Sequence, residues 1–302
     1  MAINLALRSG SVNSSLGFFH FMGLSVPLRS IKYNTVELEK LMPDLQNLVR
    51  EAGKELMRIY RKEGDVAVEL KEDDSPVTIA DLRSNRILVD GLKKLDENIP
   101  IVSEENKEIP WEVRQSFEYF WIIDPLDGTK EFIQELDEFT IHLALIHKTK
   151  VVLGIIYAPV HDKMYYAWKG GGAWLNTNGK NTRLSGHEVD FTQSGIRILR
   201  SRSNLDPKTM EYIRNFKNPE LITLGSGLKF VQLITGQADY YPRAKTYMKE
   251  WDIAPAQIIL EEAGGGIYEW SVDEPLDYNK EHLTIKGFRA VSRRDQIGEL
   301  PS

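Results

Sequence analysis

The chain contains no cysteine among its 302 residues. This absence excludes disulfide bonds, thiolate metal sites and cysteine nucleophiles, and with them zinc fingers and cysteine-dependent hydrolases. Any metal ion must therefore be held by oxygen atoms or by histidine. The chain also lacks an uninterrupted apolar run long enough to cross a bilayer, so we expect no stable membrane span.

An excess of positive charge is missing as well. The formal net charge is −6, from 38 basic and 44 acidic residues. Affinity for a nucleic-acid backbone depends on clustered lysine and arginine, so we expect no nucleic-acid partner. A small anionic substrate remains compatible with this charge if metal ions or a local basic pocket supply positive charge.

The composition, 42% hydrophobic and 27% charged, is typical of a globular protein with one large or two packed domains. We predict an N-terminal extension at residues 1–32, an N-terminal α+β domain at 33–184 and a C-terminal α/β domain at 185–302. The extension has a basic residue ahead of an apolar patch, as a secretory signal would. Because the patch is interrupted and lacks a clear cleavage site, we favour a poorly ordered or mis-started extension. We expect a cytoplasmic protein, with peripheral attachment at the inner membrane face as the alternative.

Hydrophobic spacing predicts the order of the elements. Apolar residues between Leu45 and Tyr60 recur at helical spacing, which indicates an amphipathic helix with Pro43 near its start. Segments between residues 139 and 175 read as strands joined by short turns, which is typical of an antiparallel meander. After residue 185, strands and helices alternate. The predicted fold class is therefore α+β followed by α/β.

One motif combines a predicted buried strand with two carboxylates that can face the same point in space. The run from Trp121 to Phe132 reads WIIDPLDGTKEF, in which Asp124 and Asp127 are three residues apart on a turn stiffened by proline. Carboxylates so placed, with the Leu126 carbonyl between them, suit a hard cation. An acidic turn after a buried strand explains the motif equally well, because Asp, Pro and Gly are ordinary turn residues.

Three further acids stand at the ends of predicted elements. Asp81 follows PVTIA, Glu104 lies in SEE, and Asp252 lies in WDIAP. Capping of a helix would account for Asp81 and Asp252, and a solvated loop for Glu104. Functional residues of mixed α/β folds collect at such ends, so the combination favours one shared site.

Taken in order, VTIAD, SEE, WIIDPLDGTKEF and WDIAPA resemble the lithium-sensitive, magnesium-dependent phosphomonoesterase superfamily that includes inositol monophosphatase. The resemblance covers the chain from about Thr35 and implies a layered αβαβα sandwich. Within the superfamily the sequence is similar to the CysQ-type 3′(2′),5′-bisphosphate nucleotidases, on residues 130–132 (KEF), 201–203 (SRS), 225–230 (GSGLKF) and 241–243 (YPR). Asn204, where these enzymes often have histidine, and the segment 244–250 depart from that pattern.

The resemblance implies two or three Mg²⁺ ions per active site. Glu104, Asp124 and the Leu126 carbonyl would hold one ion, and Asp124 would bridge to a second held with Asp127 and Asp252. Thr129 would orient the attacking water, with Glu104 or Asp81 and a third ion assisting. Asp81 would also count among the metal-binding residues. The Gly128 and Thr129 amides would bind phosphate oxygens.

On the substrate side, the resemblance implies that Lys229, Arg243 and Ser226 hold a 5′-phosphate. Ser201 and Ser203 would lie near the nucleoside, and Asp252 near the scissile phosphate. Lys229 could instead belong to a solvated helix face and Arg243 to a surface ion pair. Lys130 could bind phosphate or tie down an acid.

The implied activity is hydrolysis of the 3′-phosphate of adenosine 3′,5′-bisphosphate to AMP and phosphate. The sulfated nucleotide, 3′-phosphoadenylyl sulfate, would be a further substrate, and the context would be sulfur metabolism. The implied partner is thus a small phosphorylated nucleotide, and the protein would be a monomer or a homodimer. Two alternatives remain: an inositol or sugar-phosphate phosphatase on the same scaffold, and a catalytically inactive metal- or nucleotide-binding module.

Overall fold

The computed structural model describes residues 33–61, 68–70, 76–202 and 206–301. Tyr33–Ser302 form one compact unit. The predicted extension at 1–32 lies outside the described residues, and so do Ser203 and Asn204. Within the described ranges no helix combines the length and the apolar character needed to cross a membrane.

The first helix, α1, spans Thr35–Tyr60 and therefore begins earlier than the sequence suggested. Asn34 caps it: its side chain accepts the Val36 and Glu37 amides, and the Glu37 carboxylate accepts the Asn34 amide. The prediction that Pro43 lies near the helix start was wrong. Pro43 is exposed in the helix interior, because the capping box together with burial of the turns before it extends the helix past the ring.

The N-terminal half of the chain builds a seven-stranded sheet. A short antiparallel pair precedes it, β1 (Val68–Leu70) with β2 (Pro76–Thr78), followed by α2 (Ile79–Leu95). The sheet has the order β3-β4-β5-β6-β7-β8-β9. Its strands are β3 (Ile101–Ser103), β4 (Tyr119–Asp127), β5 (Thr140–His147), β6 (Lys150–Ala158), β7 (Lys163–Trp168), β8 (Gly172–Thr177) and β9 (Lys180–Leu184). Two short helices, α3 (Trp111–Arg114) and α4 (Thr129–Ile133), flank β4. All neighbouring strands are antiparallel except β3 and β4.

The C-terminal half builds a mixed five-stranded sheet of order β11-β10-β12-β14-β13. Its strands are β10 (Arg197–Ser201), β11 (Glu220–Leu224), β12 (Tyr240–Arg243), β13 (Gly266–Glu269) and β14 (Phe288–Val291). The helices are α5 (Pro207–Ile213), α6 (Leu228–Ile234) and α7 (Glu250–Ala263). The first sheet ends at Leu184 and the second begins at Arg197; a domain boundary near residue 185 stays a prediction.

The elements stack as five layers. Helices α1 and α2 cover one face of the large sheet, α6 and α7 lie between the two sheets, and α5 packs on the outer face of the small sheet. One buried cluster contains residues of both sheets and of the helices between them, such as Ile122, Leu199 and Ile259. The predicted αβαβα sandwich is confirmed.

Helix α7 can lie close against the large sheet because β6 has a glycine beneath it. A Cβ atom on Gly154 would come within 2.7 Å of the Pro255 Cα atom and 2.8 Å of its carbonyl oxygen. Pro255 in turn stands in the first turns of α7, three residues after Asp252. The position of α7 on the large sheet therefore determines where the Asp252 carboxylate lies.

We predict that Gly154→Ala lowers the free energy of unfolding by about 1–3 kcal/mol, since the added methyl group must displace a helix backbone. Urea unfolding measures this change. Gly298→Ala is the matched control: its Cβ would meet nothing within 4 Å, and we expect a change of no more than about 0.5 kcal/mol. Equal stability of the Gly154→Ala variant and the wild type would contradict the proposed close packing.

Candidate metal centre and substrate cavity

A β-bulge at the end of β4 brings Asp124 and Asp127 to the same side of the sheet. Residues three apart on a regular strand face opposite sides, because side chains alternate. Here Asp124 pairs with His142 and Asp127 with Thr140, so three steps on β4 match two on β5. The Ser84 hydroxyl donates to the Pro125 carbonyl at 2.8 Å within the bulge. The strand thus directs two carboxylates to one place.

Two other elements bring carboxylates to the same point. Glu104 directly follows β3, and Asp252 lies in the first turn of α7. Oxygen atoms of Glu104, Asp124 and Asp252 all lie within 4.8 Å of one another. Asp127 lines the same cavity. Three separate segments of the chain therefore converge on one acidic cluster.

The cluster is electrostatically costly without a counter-charge. Burial raises the pKa of the Asp124 carboxyl well above its usual range, and the charges of Glu104, Asp127 and Asp252 raise it further. Burial likewise raises the pKa of Asp252, with Asp127 and Glu104 adding to it. An all-oxygen donor set of this kind fits a hard divalent cation, which would offset the repulsion.

Asp81 lies behind the cluster rather than in it. It is the third residue of α2, where its Oδ2 atom accepts the Thr78 amide at 2.7 Å and the Thr78 hydroxyl at 2.6 Å. Its Oδ1 atom accepts the Thr129 hydroxyl at 3.0 Å. Burial raises the pKa of this carboxyl, against these hydrogen bonds. Asp81 therefore caps its helix and orients Thr129 at the same time.

The turn between β4 and α4 requires glycine. Gly128 has φ +99°, and a Cβ there would come within 2.8 Å of the Glu138 carbonyl oxygen. The turn places Thr129 at the start of α4, where its Oγ1 atom lies 3.3 Å from the Leu126 carbonyl oxygen.

Asp127 is surrounded by three groups that the sequence did not single out as site residues, one of which is His142, whose Nε2 atom lies 3.5 Å from Asp127 Oδ2. The Gly227 amide donates to its Oδ2 atom, and the Thr140 hydroxyl lies 3.2 Å from the same oxygen. Thr140 also contacts His142, whose other ring nitrogen lies 3.3 Å from the Trp251 carbonyl oxygen. His142 is fully buried, and burial lowers its pKa. This histidine therefore links the strand beside Asp127 to the residue before Asp252.

The start of α7 is fixed by a second buried network. Arg114 is fully buried and donates to Asn279 Oδ1 at 2.8 Å and to the Lys280 carbonyl at 2.9 Å. The Asn279 and Lys280 amides in turn donate to the Glu250 carboxylate. Burial nevertheless raises the pKa of Glu250 to about 7. The network anchors the helix two residues before Asp252.

The acidic cluster forms one wall of a cavity of about 280 Å³. Most of the predicted site residues line it: Glu104, Asp124, Leu126, Asp127, Gly128, Thr129, Lys130, Ser201, Ser226, Lys229, Arg243 and Asp252. Asp81 is not among the lining residues, and Ser203 lies outside the described residues. The cavity also contains Glu131, Gly225, Tyr241, Tyr247 and Met248.

Two of the basic side chains in the cavity are buried. Lys229 donates to the Ser226 carbonyl at 2.6 Å, with the Leu224 carbonyl at 3.5 Å, and burial lowers its pKa. An ammonium group has three donors, so one is left for a ligand. Arg243 is only 4% exposed, and its Nε atom has no hydrogen-bond partner among the described residues. Both side chains are buried. The alternatives, a solvated helix face for Lys229 and a surface ion pair for Arg243, would require exposed side chains.

Glu138, on the loop before β5, links two segments that are distant from it in sequence. Glu138 accepts the Gly225 amide at 2.6 Å and the Arg202 guanidinium at 2.6 Å. Arg202 is thereby placed beside Glu138 rather than among the cavity residues. Sequence reasoning missed this role, because a contact over 64 or 87 positions leaves no local pattern.

The chain thus has two layered sheets with helices between them, and carboxylates from the ends of β3 and β4 and from α7 converge on one cavity. The sequence comparison identifies the family in which this arrangement occurs. Residues 37–294 match the model of the inositol monophosphatase family. The chain belongs to this family.

Within this family, the chain is similar to a particular group of enzymes. The chain is 37% identical over 252 residues to the 3′(2′),5′-bisphosphate nucleotidase CysQ of Salmonella typhimurium, covering 83% of this chain and 99% of the relative. It is 36% identical over 250 residues to the CysQ of Escherichia coli K12, covering 82% and 98%. The predicted resemblance is confirmed.

Solved structures give the same result for the fold. The crystal structure of CysQ from Bacteroides thetaiotaomicron matches with a TM-score of 0.73 and 33% identity, covering 86% of this chain and all of the other. An IMPase from Thermotoga maritima matches with a TM-score of 0.68 and 28% identity, covering 84% and 92%.

We predict that Asp124→Asn stabilises the metal-free protein. The pKa of Asp124 is raised in the folded state, so its ionisation opposes folding above the unfolded pKa, near 4, and the penalty grows as the pH rises. In the presence of EDTA the variant should melt at least about 2 °C higher at pH 8, with a smaller difference at pH 5. Thermal unfolding followed by circular dichroism measures both. Asp44→Asn, at an exposed position on α1, serves as the control and should leave the melting temperature unchanged. A lower melting temperature for Asp124→Asn would contradict the repulsion argument.

Proposed function

We propose that the protein is a Mg²⁺-dependent phosphomonoesterase that hydrolyses the 3′-phosphate of adenosine 3′,5′-bisphosphate to AMP and phosphate. The observation that supports this most is the pairing, in one cavity, of the acidic cluster at Glu104, Asp124 and Asp252 with the buried cations Lys229 and Arg243. The acidic cluster would hold the metal ions that act on one phosphate. The two buried cations would bind a second phosphate of the same molecule. The names of the CysQ relatives agree with such a substrate.

The proposed metal ligands are Glu104, Asp124, the Leu126 carbonyl, Asp127 and Asp252, with Asp124 shared between two ions. Mg²⁺ favours sparse carboxylate sets completed by water and substrate oxygens. When bound, the ions would offset the charge of the phosphate dianion and lower the pKa of a water molecule. A third ion near Glu104 and Asp81 belongs to the same proposal.

Thr129 would orient the attacking water. The Thr129 hydroxyl donates its proton in a hydrogen bond to Asp81. The lone pairs of the Thr129 oxygen can then accept a hydrogen bond from a water molecule. Glu104, which is partly exposed in the cavity, or Asp81, acting through Thr129, would take up the proton that the water releases. The Gly128 and Thr129 amides would hold phosphate oxygens on the other side.

The second phosphate would lie against Arg243 and Lys229. The Arg243 Nε atom has no hydrogen-bond partner in the part of the chain that the structure describes. A buried donor without a partner is costly, so a phosphate oxygen at this point would gain affinity. Ser226 lines the cavity and would donate a hydrogen bond to this phosphate, and Ser201, which also lines the cavity, would lie near the nucleoside. Lys130 is exposed at the cavity, where it would either bind phosphate or pair with an acid.

A substrate screen tests the proposal against the rival activity. We expect phosphate release from adenosine 3′,5′-bisphosphate with kcat/KM at least about tenfold above that for inositol 1-phosphate, because only the former engages Arg243 and Lys229 with a second phosphate. 3′-Phosphoadenylyl sulfate belongs in the same screen.

The screen needs two controls. EDTA should abolish release and excess Mg²⁺ should restore it, and Arg243→Ala should reduce activity on the bisphosphate more than on inositol 1-phosphate. A preference for inositol 1-phosphate would favour the inositol phosphatase, and no release from any substrate would favour the inactive binding module.

We also predict that Thr140→Val weakens Mg²⁺ binding about 10- to 100-fold, since it removes a hydroxyl group that supports the Asp127 carboxylate. The Mg²⁺ concentration for half-maximal activity measures the effect. Thr140→Ser retains the hydroxyl group and should behave as the wild type. An unchanged Mg²⁺ requirement in the valine variant would argue against Asp127 as a ligand.

A further inference from the structure

Tyr247 is an aromatic side chain in an unusual position. It is 69% exposed, more than any other large hydrophobic side chain of the described residues. Scattered exposed apolar residues need no explanation, but this ring stands at the site. It lies in the segment between β12 and α7.

The ring stands where two cavities meet. Tyr247 lines the 280 Å³ cavity that holds the acidic cluster, and it also lines a neighbouring cavity of about 470 Å³. Glu104 and Asp252 are the other two residues that line both. A substrate anchored at these carboxylates therefore has Tyr247 beside it.

The backbone on either side of the ring is fixed. The Ala244 amide donates to Thr209 Oγ1 at 2.8 Å, and the Lys245 amide donates to Asp206 Oδ2 at 3.1 Å. Thr246 is buried, and its hydroxyl accepts the Met248 amide at 3.0 Å. The exposed ring is thus presented by a well-anchored segment. The Lys245 ammonium lies 5.5 Å from the ring centroid.

The base of the proposed substrate is the part for which a stacking contact is still needed. The two phosphates are accounted for by the acidic cluster and by the pair Lys229 and Arg243, whereas none of these charged groups offers a surface to a flat, uncharged base. Bases bind to proteins by stacking on aromatic rings. Of the aromatic residues that line the catalytic cavity in the described chain, Tyr241 is fully buried, and only Tyr247 offers an accessible face.

From this position we infer that Tyr247 is a stacking platform for the nucleobase, and that it makes the enzyme prefer nucleotides over phosphate esters without a base. The inference rests on the proposed function and extends it to the base. Stacking on the ring contributes to binding of the whole substrate, not to the chemistry at the phosphate, so it should appear in KM and leave kcat unchanged.

The test compares wild type, Tyr247→Ala and Tyr247→Phe on two substrates. One is adenosine 3′,5′-bisphosphate, and the other is ribose 3,5-bisphosphate, which keeps both phosphates and lacks the base. For Tyr247→Ala we expect KM for the nucleotide to rise about tenfold, as loss of one base–aromatic stack predicts, with kcat and both constants for the abasic substrate within about twofold of wild type. Tyr247→Phe keeps the ring and should match the wild type. Because the side chain is exposed, thermal unfolding should show equal stability of all three proteins.

Each outcome decides the matter. A selective rise in KM for the nucleotide supports the stacking role. An unchanged KM, or an equal rise for both substrates, overturns it while wild-type turnover of the nucleotide leaves the proposed function intact. If the wild type fails to hydrolyse the nucleotide, the proposed function is overturned, and the role of Tyr247 with it.

Discussion

The mutual repulsion of four carboxylates in one cavity is the constraint on which the rest of the structure depends. Glu104, Asp124, Asp127 and Asp252 are like charges, and two of them are shifted towards the protonated form by burial and by one another. Such a cluster gains nothing for folding. It persists because the surrounding packing leaves the side chains no alternative, which is the usual relation between a strained site and a rigid scaffold.

That packing comes from three directions, and each is specified by ordinary interactions. The bulge in β4 is a matter of strand register, the turn at Gly128 needs a left-handed backbone, and α7 is held at its start by Arg114 and Glu250 through residues 279 and 280. Asp81 and Asp252 are each bonded to a backbone amide at the start of their own helix. The helix start thus fixes the direction of the carboxylate, so the capping explanation and the site explanation of these residues are compatible.

The sequence predicted the elements that local patterns define. The structure contains the three features that hydrophobic spacing predicted. They are the buried strand before Asp124, the antiparallel meander, and the alternation of strands and helices after residue 185. The prediction from the sequence failed where a local preference was outweighed by other interactions. Proline favours the first turn of a helix, so Pro43 indicated a helix start. Capping by Asn34 and burial of Leu38 and Met42 instead begin α1 earlier, and Pro43 lies within it. The prediction also missed Thr140, His142 and Glu138, because their importance comes from contacts between distant segments. Local spacing can identify a carboxylate but not the group that holds it in place.

The same distinction applies to recognition of the substrate. The residues proposed to face the reacting phosphate lie at the end of β3, on β4, on α4 and at the start of α7, where the backbone is fixed by the sheet and by helix caps. Of the residues proposed to face the remainder of the substrate, Arg243 lies on β12 and Lys229 on α6, whereas Ser226 lies on the loop before α6 and Tyr247 on the connection between β12 and α7. A connection can change its side chains without moving the acidic cluster, since the cluster is positioned by other elements. Selectivity for the remainder of the substrate can therefore change independently of phosphate hydrolysis, and the segment from Ala244 to Glu250, which carries Tyr247 into the cavity, is a place where such a change would be expressed.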